Sequence, residues 1–240
     1  MMANTVIESW RSRFSPNTVA VRRRELKRFL AWMVDNGAHH DVLYNLSKVR
    51  KPMPRTVIAT PAELDRLTQH APPWQRCWLS ITAGHGLRFA EANRLSRAQY
   101  DEHAATLTFR TKGQDTNTLP ASDELQAFFK MAPMSADPNA HLIDLLAGRR
   151  LSGAYIRRQW QDLKMQAGVN PELRPHDLRR TLAVRTYDLT KDLRTVQHLL
   201  GHRNLFTTCG YLEHHDPAAI RPLLNQLKPN GGTRRVGFQN

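Results

Sequence analysis

Six side chains in this 240-residue sequence stand in settings that suit chemistry on an anion. His176-Asp177-Leu178-Arg179 places a histidine and an arginine three residues apart, so on a helix both project from one face. Pro175 suits the first helical turn, where the positive dipole end and free backbone N–H groups favour an anion. Taken alone, such a pair is more often an ordinary surface feature than a site. Context strengthens it. Twenty-six residues after His176, Leu199-Leu200-Gly201-His202 ends an apolar helix at glycine and presents a histidine just past the C-terminus. Tyr211 follows nine residues later. Far upstream, Gly84-His85-Gly86-Leu87-Arg88 sets an arginine at the start of a helix behind two glycines, with Glu91 one turn on to orient it. Lys112 completes the group, near the tip of an expected hairpin.

Composition says what kind of anion to expect. Thirty-five Lys and Arg against 21 Asp and Glu give a net charge of +14, an excess that points to a polyanionic partner. The charges recur along the whole chain instead of forming one juxtamembrane block, so nucleic acid is a better reading than an anionic membrane. No stretch approaches the roughly 18 uninterrupted apolar residues of a membrane span. A soluble, cytoplasmic protein is expected. Cys77 and Cys209 lie 132 residues apart, which leaves no disulfide framework and no cysteine-based zinc site. The adjacent histidines His39-His40 and His214-His215 lack an accompanying carboxylate or thiolate cluster, and two neighbouring side chains do not easily face one metal. No metal and no cofactor are expected.

The elements that must position these groups read as mainly helical. Val19, Leu26, Phe29, Leu30 and Met33 recur at helical spacing between a Ser15-Pro16 start and an Asn36-Gly37 stop. The other face of that helix carries Arg22, Arg23, Arg24, Lys27 and Arg28 against the single Glu25, a one-sided charge suited to phosphate contacts. A shorter helix around Val6–Phe14 precedes it. Lys48–Thr60, with two prolines and basic residues including Lys51 and Arg55, reads as a linker lying on a charged partner. Thr60-Pro61-Ala62-Glu63 is a capping box with proline at the first helical position. Helical patterns continue over Pro73–Thr82, Phe89–Leu95, Ser122–Met131, Ser152–Ala167, His176–Asp188 and Thr190–Leu200, with one β-hairpin over Ala105–Ala121. Ala218–Leu227 suits a last helix, followed by a Gly- and Arg-rich tail expected to be disordered. The expected division is a small helical DNA-binding domain over 1–47, a linker over 48–59, a catalytic domain over 60–228 and a tail over 229–240.

In order and spacing, Gly-Leu-Arg88-x-x-Glu91, the hairpin Lys112, His176-x-x-Arg179, Leu-Gly-His202 and Tyr211 resemble the tyrosine recombinase, or phage integrase, family. The resemblance covers about Thr60 to Leu224, and the upstream basic helix is similar to the family's core-binding domain. It implies a mainly α fold with a small β-sheet, arranged as a two-domain C-shaped clamp around double-stranded DNA. It also implies cleavage by attack of Tyr211 on the scissile phosphate, giving a 3′-phosphotyrosine link and a free 5′-hydroxyl. Arg88 and Arg179 match the pair that stabilises the phosphoryl transition state without a metal, a role suited to a forked, permanently charged guanidinium. Lys112 matches the lysine that protonates the leaving 5′-oxygen, His176 would assist proton transfer at the nucleophile, and His202 would hydrogen-bond the phosphate.

The sequence departs from the family pattern at two places. Arg180 stands where many members have a second histidine, and His85 replaces a common threonine. Family membership further implies a homotetramer on two DNA sites, possible accessory DNA-bending proteins, a nucleoid location, and a role in integration, excision or resolution of a mobile element. Two rivals share these motifs: a topoisomerase-like nicking and resealing enzyme, and a catalytically silent DNA-binding regulator. The compact size disfavours the first, and the presence of all six side chains disfavours the second.

Overall fold

The computed structural model describes residues 2–37, 46–49, 57–110 and 116–202. The chain divides into two compact units, Met1–Arg55 and Thr56–Asn240.

In the first unit, α1 (Met2–Arg11) packs on α2 (Pro16–Asp35). Ser15 caps α2 by accepting from the Thr18 N–H, with Pro16 behind it, so the expected start holds. α1 lies earlier than the Val6–Phe14 expectation, because residues 12–14 turn to meet α2. Ile7, Val19, Leu30 and Leu46 form the buried core, with Trp10, Phe14, Leu26 and Val49 packed against it. The basic face of α2 is not uniform. Arg23 turns inward and donates from Nε to Ser47 O (2.7 Å) and from Nη2 to Leu46 O (3.1 Å). The Arg22 guanidinium lies 3.7 Å from the centre of the Phe14 ring. Arg24 and Arg28 flank Glu25, and Lys27 is exposed.

The second unit is mainly helical around a small sheet. α3 (Pro61–His70) begins at the expected capping box, in which Thr60 Oγ1 accepts from the Glu63 N–H and Glu63 accepts from the Thr60 N–H. α4 (Pro73–Leu79) runs into a π-helical turn, Ser80–Gly84. α5 (Phe89–Ala92) is a single turn and stops short of the expected Leu95. The chain breaks there because Leu95 O accepts from the Leu142 N–H (2.7 Å) and Ser96 bridges to His141, contacts a continuing helix could not make. β1 (Tyr100–Asp101), β2 (Thr106–Arg110) and β3 (Thr116–Pro120) form an antiparallel sheet in the order β1-β2-β3, with Leu107 opposite Leu119 and Thr108 opposite Thr118. Leu107, Phe109, Asn117 and Leu119 face inward while Thr108 and Thr118 share a hydroxyl hydrogen bond outside, the alternation of a half-buried sheet.

Then follow α6 (Asp123–Met131), α7 (Leu142–Ala147), α8 (Gly153–Gln166), α9 (Pro175–Thr190) and α10 (Leu193–Leu200). The break between α9 and α10 falls at Lys191, in the left-handed region at φ +53°, after which Asp192 caps α10. The core gathers Trp78 against Trp160 (5.7 Å) and Phe89 (6.1 Å), with Tyr100 stacked on Phe129 (4.2 Å).

The division between the units falls within the stretch read as a linker, and both its ends are packed: Val49 joins the first core, while Val57 and Ala59 join the second. The Ala59 N–H donates to Thr181 Oγ1 (2.9 Å), tying this strand-like approach to α9. Lys51 and Arg55 lie outside the described residues, as do the expected helix over 218–227, the tail, and the histidine pairs 39–40 and 214–215. Among the described residues no helix is long and apolar enough to cross a membrane.

Candidate functional site

Four of the six singled-out side chains come together in the second unit, delivered by three separate segments. Arg88 stands at the N-cap of α5. Glu91 holds it from two directions, accepting from the Arg88 N–H (2.7 Å) through Oε2 and from Nη1 (2.8 Å) through Oε1. The guanidinium is thus oriented while remaining partly open to solvent.

Arg179 is only 1% exposed, on the inner face of α9. Its Nη1 donates to Gly86 O and its Nη2 to Leu200 O. A buried guanidinium needs such acceptors, and the two carbonyls accept from its terminal nitrogens without neutralising its charge. The loop before Arg88 and the end of α10 therefore both close onto Arg179. Gly86 makes this possible: at φ +68° it sits in the left-handed region, and a Cβ there would meet Leu200 Cδ2 at 2.9 Å and Leu182 Cδ2 at 3.0 Å.

His176 lies one turn before Arg179, at the start of α9. Asp177 caps this helix by accepting from the Arg174 N–H (2.8 Å). Burial, reinforced by the charges of Arg179, Arg88 and Arg180 and opposed by Asp177, holds the His176 pKa below the usual imidazole value. His202 follows Gly201, which closes α10 in the left-handed conformation at φ +58°. Gln197 fixes it at both ends, its backbone carbonyl accepting from the His202 N–H (3.0 Å) and its side chain donating to His202 O (2.9 Å). Burial first, then Arg179, Arg88 and His176, bring the His202 pKa down to about 4. Both imidazoles are therefore neutral at pH 7. A cluster in which guanidiniums lower the pKa of the neighbouring histidines favours an anion that relieves the repulsion.

Arg180, noted in the sequence only as a departure from the family's second histidine, is buried beside Arg179 and adds to the positive potential at His176. Sequence reasoning missed the tie between sheet and α10, where Asn117 Nδ2 donates to His198 O (3.2 Å). Lys112 and Tyr211 lie outside the described residues.

Fold and site together define a mainly helical protein with a small antiparallel sheet, carrying a cluster of guanidiniums and imidazoles. The model of the phage integrase family matches residues 58–217, and the chain belongs to that family. Among curated relatives, the tyrosine recombinase XerC of Proteus mirabilis is 29% identical over 218 residues, which is 85% of this chain and 70% of that protein. XerC of Rhodospirillum centenum is 31% identical over 202 residues, 78% of this chain and 59% of that protein. The chain thus spans between somewhat over half and about two thirds of these relatives' lengths. Among solved structures, the XerH recombinase bound to a palindromic difH substrate in a post-cleavage complex matches with a TM-score of 0.72 at 18% identity, covering 92% of this chain and 70% of that one. The Tn1549 transposon integrase in complex with a circular intermediate DNA matches with a TM-score of 0.71, also at 18% identity, covering 94% and 84%. These likenesses establish the fold.

Proposed function

We propose that this chain is a site-specific DNA recombinase that cleaves and rejoins double-stranded DNA through a 3′-phosphotyrosine intermediate. The observation that carries the reading is the convergence of Arg88, His176, Arg179 and His202 in one cationic cluster of a phage integrase family member. Tyr211 is the nucleophile: its phenolic oxygen attacks the scissile phosphorus, the bond to the 5′-oxygen breaks, and Lys112 delivers a proton to the departing hydroxyl. Arg88 and Arg179 offset the charge that gathers on the nonbridging oxygens. His176, neutral in the free protein, is in the form that accepts the tyrosine proton, and His202 donates a hydrogen bond to the phosphate. The reverse reaction uses the same groups, with a 5′-hydroxyl of another strand as attacking group, so the energy of the cleaved bond is retained.

The small unit is the DNA-binding domain, with Arg24, Lys27 and Arg28 of α2, and Lys51 and Arg55 beyond it, on the phosphates. The two domains close on duplex DNA as a C-shaped clamp, and four protomers act on two sites, helped by DNA-bending proteins. The role is integration, excision or resolution for a mobile element or a replicon, carried out at the nucleoid.

The test is a suicide-substrate assay. Nicked duplexes from the native genomic neighbourhood are incubated with protein in EDTA, and a covalent protein–DNA adduct is sought on denaturing gels. An adduct with the wild type and none with Tyr211→Phe is expected. Salt-sensitive duplex binding with no adduct on any substrate would overturn the reading in favour of a catalytically silent DNA-binding protein.

A further inference from the structure

His85 is 4% exposed, and its ring nitrogens join two elements that are otherwise remote in sequence. Nδ1 lies 3.0 Å from Ser80 O, in the π-helical turn, and Nε2 lies 3.1 Å from the backbone nitrogen of Ser122, at the N-cap of α6. The Ser122 N–H can only donate, so Nε2 carries the lone pair and Nδ1 carries the proton that goes to Ser80 O. This fixes one neutral tautomer. Burial favours the same uncharged form, against the opposing influence of the Ser80 carbonyl and then of the Glu124 carboxylate on α6.

What the ring joins gives it significance. On one side, its own backbone leads directly into Gly86, whose carbonyl receives Arg179, and then into Arg88. The Leu87 N–H closes this loop by donating to Ile81 O (3.2 Å). On the other side, Ser122 follows the end of β3 by two residues, and β3 is the strand that follows the segment bearing Lys112. A planar ring held at both nitrogens is a rigid spacer between the arginine-bearing loop and the strand pair.

We propose that His85 is a positioning residue for the cleavage step: a neutral imidazole strut that sets the β2–β3 strands against the loop holding Arg88 and the Arg179 acceptor. The inference rests on the recombinase reading. What matters in it is the acceptor at Nε2. His85→Phe fills the space but leaves the Ser122 N–H unpaired, whereas His85→Gln places a carbonyl oxygen near the Nε2 position.

Adduct formation is measured in single turnover at saturating duplex, at a temperature where circular dichroism shows all three proteins folded. His85→Phe is expected to be at least about tenfold slower, and His85→Gln within about threefold of wild type, with duplex Kd within about twofold in all. A second substrate carries sulfur in place of the scissile 5′-oxygen. The P–S bond breaks to give a thiolate that needs no proton, so a defect in placing the proton donor disappears on it. Recovery of His85→Phe on the sulfur substrate is the expected result. An equal defect on both substrates, or no defect on either, overturns the proposal. A wild type that forms no adduct on either substrate instead sinks the recombinase reading itself.

Discussion

Replacing Gly86 with alanine should separate the two functions this residue serves. At φ +68° any L-residue is strained by about 1–2 kcal/mol. The new Cβ would also stand 2.9 Å from Leu200 Cδ2 and 3.0 Å from Leu182 Cδ2. Leu200 is fully buried, and overpacking against it costs about 1–3 kcal/mol. The expected loss is therefore about 2–5 kcal/mol. Gly148→Ala is the control, because Gly148 has φ +65° but nothing within 4 Å of its Cβ, so it carries the backbone strain alone. Urea unfolding followed by circular dichroism gives both values from midpoint and slope. Gly86→Ala should exceed Gly148→Ala by about 1–3 kcal/mol, the packing share. It should also slow adduct formation in the protein that remains folded, because relieving the clash shifts the Gly86 carbonyl away from Arg179. Equal stability losses for the two alanines would refute the claim that this loop is packed against α9 and α10, and with it the account of how Arg179 is held.

Three further outcomes follow from the same geometry. Thr181→Val keeps the shape but leaves the buried Ala59 N–H unpaired, so it should destabilise the larger unit by about 1–3 kcal/mol in urea; a change below about 0.5 would show that the contact is not formed. Glu91→Ala frees the Arg88 side chain and should slow adduct formation about tenfold to a hundredfold, and an unchanged rate would mean that Arg88 needs no orienting partner. The folded pKa values of His85, His176 and His202 all lie below the ordinary imidazole value, so the unfolded chain binds more protons as pH falls below about 6.5. Stability should therefore be complete above about pH 6.5 and be lost as pH falls toward about 4, the folded value of His202. A Tm that stays level from pH 7 to 4.5 would contradict this.

What the sequence determined by itself is local. Thr60-Pro61-Ala62-Glu63 starts α3, Ser15-Pro16 starts α2, and Leu200-Gly201-His202 ends α10, because caps and left-handed stops are settled between residues a few positions apart. The alternation of Leu107, Phe109 and Leu119 likewise marked two strands. Short elements escaped it: α7 and the two-residue β1 are too brief for any periodicity to show, and α5 was expected too long because its end is set by Leu142 and His141, nearly fifty residues away. Arg23 read as one more phosphate ligand on a basic face, and only folding revealed that it donates to the carbonyls of residues 46 and 47.

The candidate site divides in the same way. Motif order named Arg88, His176, Arg179 and His202, but their state was decided by tertiary structure. Arg179 finds its acceptors 93 and 21 residues away, and the histidines are neutral because packing removes water and brings guanidiniums beside them. Spacing along a chain fixes which face a side chain occupies. Burial and the field of distant charges arise only when the segments meet, and it is those that set protonation and orientation.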